Sequence, residues 1–108
     1  MALTRDYKET INRRVQKDPE FAAALLDEAI TLFINGEADV ARLVLRDLVN
    51  STVGFDTLAK AAEKPNKSLQ RMLSAKGNPN MESLATIFKT LKHCLKVNTE
   101  VHTRSVAV

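Results

Sequence analysis

The sequence predicts an all-α fold: one compact multi-helix domain, with room for a short strand at its C-terminal end. Two observations carry this. Leucine and alanine dominate, against one Tyr, four Phe and no Trp, a composition that suits helices better than sheets. Apolar residues also recur every three or four positions along most of the chain, and the breaks between those stretches hold helix-starting and helix-stopping residues. At 108 residues the chain makes a single domain, able to bury roughly 60–70% of its unfolded surface in one core.

The elements follow in order. Leu3, Tyr7, Ile11 and Val15 repeat every four residues through a first helix over 4–17, with Thr4 as its N-cap. Asp18-Pro19-Glu20 restarts the chain as an Asp cap, a proline at the first helical position and an acid in the first turn. Phe21, Leu25, Ala29, Leu32 and Phe33 form the buried face of this second helix, and Asn35-Gly36 ends it. Val40, Leu43, Val44 and Leu48 continue the pattern in a third, over about 37–50. Ser51-Thr52-Val53-Gly54 then separates it from two short helices over about 55–74. Leu58, Ala62, Leu69 and Met72 let those two face each other, and the small Ala59 and Ala61 suit close approach. Glu63-Lys64-Pro65 breaks the period, and Pro65 suits the first turn of a new helix because it fixes φ and lacks an N–H. Asn80 caps a last helix with Leu84, Ile87, Phe88 and Leu91 as its core stripe, ending near His93. That makes six helices, divided into an N-terminal group (1–53), the paired helices with the helix after them (54–93) and a tail (94–108).

The tail from Leu95 to His102 alternates apolar and polar residues, which is the period of a strand. A lone strand needs an edge: its copy in a second subunit, or a partner protein. A disordered terminus is the alternative, and the sequence leaves both open.

The paired helices say most about function. One short helix braces a second, and the second turns Asn66, Lys67, Ser68, Gln70 and Arg71 outward between its inward residues. This is the layout of a helix-turn-helix, whose second helix enters the DNA major groove. All five side chains can donate hydrogen bonds to phosphates or base edges, and Asn, Gln and Arg can do so bidentately. A plain solvated face is the ordinary reading of a lone polar helix; the adjoining turn and the local charge weigh against it here. Residues 1–54 carry seven Lys/Arg and nine Asp/Glu, a balance of −2, whereas residues 55–108 carry nine and four, a balance of +5. Between 58 and 77, Lys60, Lys64, Lys67, Arg71 and Lys76 stand against Glu63 alone. A basic half joined to a mildly acidic half suits a chain that meets phosphate with one face.

Leu58–Met72 resembles the helix-turn-helix of the phage-repressor-like (XRE-type) regulators, and Gly77-Asn78-Pro79-Asn80-Met81-Glu82-Ser83-Leu84 resembles the turn and helix start that follow it there. More narrowly, the chain looks like the bacterial addiction-module antidote proteins, a branch related to the HigA-type antitoxins. Leu3-Thr4-Arg5-Asp6-Tyr7-Lys8-Glu9-Thr10, Ala24-Leu25-Leu26-Asp27-Glu28-Ala29, Asn35-Gly36-Glu37 and Leu45-Arg46-Asp47-Leu48-Val49-Asn50 carry that likeness, which spans residues 3–97. It departs from the commonest pattern at Glu63, where these turns usually have glycine, and at Pro65, where a helix-capping serine is usual. The resemblance implies a repressor-like, sequence-specific regulator that binds a palindromic site in double-stranded DNA as a homodimer. It further implies that the protein neutralises a RelE/ParE-like toxin and represses its own operon. Asn66, Lys67, Gln70 and Arg71 would meet the groove and Lys60 and Lys76 phosphate, with Ser68 and Lys64 as further DNA-binding candidates. A prophage-type repressor without a toxin, or an interaction module that uses the paired helices only for packing, are the alternatives.

Catalysis is not expected. His93 adjoins Cys94, but a metal site needs three or four ligands and no second Cys/His pair accompanies them. Asp27 and Glu28 are neighbours and point about 100° apart on a helix, so they make no facing dyad. Gly36, Gly54 and Gly77 sit singly at helix boundaries rather than in a phosphate loop, and Ser51, Ser68, Ser74, Ser83 and Ser105 have no histidine in a relay. Aromatics at core-like positions leave no stacking platform for single-stranded RNA. No cofactor or metal is expected. One cysteine, no signal-peptide pattern and no membrane-length apolar run point to the reducing cytoplasm.

Overall fold

Helix ends in this chain are set by local backbone chemistry, and three of them use the same device. A computed structural model of the protein describes residues 19–107. The described residues form α1 (Pro19–Ile34), α2 (Ala38–Ser51), α3 (Gly54–Ala62), α4 (Asn66–Met72) and α5 (Met81–Leu95). The helix expected over 4–17, with Leu3, Tyr7, Ile11 and Val15, lies outside them, as does Asp18. Pro19 takes the first position of α1, as expected. At its far end the Gly36 N–H donates to the Phe33 carbonyl and the Glu37 N–H to that of Leu32, with Gly36 left-handed at φ 85°. This is a Schellman stop. Glu63 (φ 56°) closes α3 in the same way and Lys96 (φ 57°) closes α5, both without the freedom of glycine. Asn80 caps α5, its Oδ1 accepting from the Ser83 N–H at 2.7 Å.

One core joins all five helices. Ala22, Leu26 and Ala29 of α1 meet Leu45, Leu48 and Val49 of α2, then Phe55 and Leu58 of α3, Leu69 of α4 with Leu73 just after it, and Ile87 and Leu91 of α5. Phe33 and Phe88 meet edge to face at 5.7 Å and tie α1 to α5. Packing this apolar surface is what fixes five short helices that would be marginal alone.

Several expectations need correction. Val40 and Leu43 are 44% and 42% exposed rather than core, because the buried stripe of α2 runs through Ala41, Leu45, Leu48 and Val49 on the other side of the helix. The buried edge of α1 is likewise turned toward Ala22 and Leu26, leaving Phe21, Leu25, Leu32 and Phe33 half-buried beside it. Gly54 belongs to α3, so Thr52 and Val53 alone connect it to α2. Pro65 is the N-cap of α4, with φ −62° and ψ 138°, and not its first helical residue. The last helix runs to Leu95. No strand forms among the described residues: beyond Lys96 the tail stays irregular, since a single copy presents no edge for it to pair with.

Candidate nucleic-acid interface

Seven residues give α4 barely two turns, and their order sorts the helix into faces. Leu69, together with Leu73 at the C-cap, is fully buried. At 100° per residue, Lys67 and Arg71 fall on the far side, and both are exposed. Asn66 and Gln70 flank this pair on one side and Ser68 and Met72 on the other, all four half-buried. Leu69 is thus inward and Lys67 and Arg71 outward as expected, whereas Asn66, Ser68 and Gln70, expected outward, and Met72, expected inward, take the half-buried flanks, and Leu73 is an additional anchor.

Asn66 and Gln70 are not independent. The Gln70 side-chain amide donates to Asn66 Oδ1, and Asn66 Nδ2 donates to Asp56 Oδ1 in the first turn of α3. This chain of amide and carboxylate groups joins the start of α3 to the start of α4 and orients both amides. Asp56 was not singled out from the sequence. Its only signal there is an acid at a helix N-terminus, which is too common to stand out.

Two more residues missed by periodicity hold α4 from the opposite end. Arg46 Nη1 donates to the Gln70 carbonyl at 3.1 Å, and its guanidinium lies 5.8 Å from the centre of the Phe55 ring. Arg42 Nε donates to the Ser74 carbonyl at 3.1 Å and its Nη2 to the Ala75 carbonyl at 3.0 Å. Both arginines come from one face of α2, one helical turn apart. Arg46 thus binds a carbonyl in the last turn of α4 and Arg42 two carbonyls of the loop just beyond it, at the helix end where positive charge is also favoured by the dipole.

The loop after α4 is tight. Gly77 N–H donates to the Ser74 carbonyl at 3.0 Å, and a Cβ on Gly77 would stand 2.2 Å from the Met72 carbonyl oxygen and 2.5 Å from that of Arg71. Only glycine fits there without moving backbone. The loop carries Lys76, which is exposed, as is Lys60 in the last turn of α3. Lys64, in the turn between α3 and α4, is half-buried. Among the described residues none of Lys60, Lys64, Lys67, Arg71 and Lys76 makes an ion pair, so their charge is open to a ligand. Cys94 lies half-buried on α5 beside the exposed His93. No helix of the described residues is long and apolar enough to cross a membrane. Comparison with protein-family models, with curated proteins and with solved structures finds no match to this chain.

Proposed function

We propose that the protein is a sequence-specific DNA-binding regulator in which α3 and α4 act as a helix-turn-helix and α4 enters the major groove. The observation that carries this is the division of α4: Leu69 is buried completely while Lys67 and Arg71 stand out on the opposite face without an ion-pair partner. A helix gripped by one edge and cationic on the other suits insertion between two phosphate backbones. Arg71 would read a base edge, and Asn66 and Gln70 would present amides to bases once their mutual hydrogen bond is exchanged. Lys60 and Lys76 would contact phosphate, as would Lys64 from the turn.

The test is binding to operator DNA selected from a random pool. Arg71→Ala should weaken the selected site by about 1–3 kcal/mol and relax preference at one or two base pairs, as loss of a bidentate guanine contact does. If affinity and base preference both stay unchanged, α4 is not in the groove.

A protein partner for the N-terminal half is favoured by a separate observation. Ile34, Val40 and Leu43 are exposed on α1 and α2, near the exposed acids Glu37, Asp39 and Asp47. In the antitoxin reading that the family resemblance suggests, this acidic and apolar surface meets the basic, RNA-facing side of a toxin. A prophage-type repressor would share the DNA-binding face and lack that partner. Co-expression with the product of an adjacent reading frame separates the two.

A further inference from the structure

We infer that residues 98–104 form the centre of a homodimer by pairing antiparallel with the same segment of a second copy, about a two-fold axis at Val101. The pairing deepens the reading of the protein as a dimeric operator binder, but its evidence lies elsewhere in the molecule. Past Lys96 the chain runs alongside α1. Val97–Glu100 face Ala23, Leu26 and Ile30, and Thr99–Arg104 continue past Ile30 and Ile34. Val97 and Thr99 are half-buried while Lys96, Asn98 and Glu100 are exposed, so the alternation of the sequence is laid down with Val97 and Thr99 toward α1, and from Val101 to Ala107 every residue is exposed. No backbone hydrogen bond joins residues 98–107 to the rest of the described chain. The tail thus offers a row of free N–H and C=O groups, and Val101 remains 66% exposed.

What identifies the occupant is the pattern of charge. With the axis at Val101, the valine opposes itself and Thr99 opposes Thr103. Glu100 opposes His102 of the second copy, and the reverse pair forms by symmetry, so an imidazole N–H meets a carboxylate twice. Within one chain the same two groups already lie 3.5 Å apart, so the assembled ribbon would carry four of them in alternation. Asn98 would oppose Arg104. An axis at Glu100 would set two carboxylates against each other and Lys96 against Arg104, and an axis at His102 would oppose two imidazoles. A two-stranded ribbon is marginal alone; here α1 of each copy would lie beneath it and supply an apolar floor through Ile30 and Ile34.

The full chain without DNA tests this. Light scattering at micromolar concentration should give a dimer. Glu100→Lys should raise its dissociation constant about tenfold or more, since both symmetric imidazole–carboxylate contacts lose their acceptor. Combining Glu100→His with His102→Glu should restore association, because each group still faces its complement. In a Cys94→Ser background, Val101→Cys should cross-link under mild oxidation, opposed Cα atoms being about 4.5–5.5 Å apart, and Asn98→Cys should not. A monomeric chain, a dimer indifferent to Glu100→Lys, or equal cross-linking at both positions would overturn the pairing. Any of these leaves the DNA-binding reading standing, and a failed Arg71→Ala test leaves the pairing standing.

Discussion

Glu63 holds a left-handed conformation at φ 56° that glycine adopts more easily. The Schellman bonds from Glu63 and Lys64 to the carbonyls of Lys60 and Ala59 keep it there. Glu63→Gly should therefore raise stability by about 0.5–1 kcal/mol in urea unfolding. It also removes the one acid among the five cations of this region. Gly77 is the opposite case. Its missing Cβ is the space occupied by the carbonyls of Arg71 and Met72. Gly77→Ala should cost about 1–3 kcal/mol by the same measurement, because backbone and not a flexible side chain would have to yield.

At the scale of the element, α4 is too short to be stable on its own account. It persists because Leu69 and Leu73 anchor it, because Arg46 of α2 binds the Gln70 carbonyl in its last turn and because Arg42 binds the loop just after it. Loss of such a partly buried, charge-assisted bond costs on the order of 1–2 kcal/mol. Arg46→Ala should destabilise the fold by about that much. Amide exchange should show faster opening of α4 than of α1, since only α4 loses its clamp. Uniform protection loss across both helices would argue that Arg46 serves the core as a whole. The same arginines connect the N-terminal helices physically to the helix assigned to DNA.

For the molecule as a whole, the excess of positive charge in residues 55–108 predicts a salt-dependent association. Removing Lys60 or Lys76 should weaken all DNA sequences about equally and reduce the salt slope by about one each, measured by titration across ionic strengths. Much of this molecule was legible in its residues. Capping and stopping signals at Pro19, Gly36 and Asn80 are local, so helix number and limits between 19 and 95 could be read within a few residues. The outward face of α4 could be read because a seven-residue helix with Leu69 buried leaves few choices for Lys67 and Arg71. Apolar spacing alone misassigned Val40 and Leu43, since a helix with two apolar stripes buries whichever one its neighbours meet. Asp56, Arg42 and Arg46 had no periodic signal, because their partners lie ten to thirty-three residues away. The sequence by itself determined the helical class, the cap at Asn80, the stop at Gly36 and the asymmetry of charge, and the cap and the stop depend on neighbours within a turn. The tertiary structure alone decided which stripe of α2 is buried, how α4 is clamped and where the tail lies, because those depend on contacts between segments that no local pattern encodes.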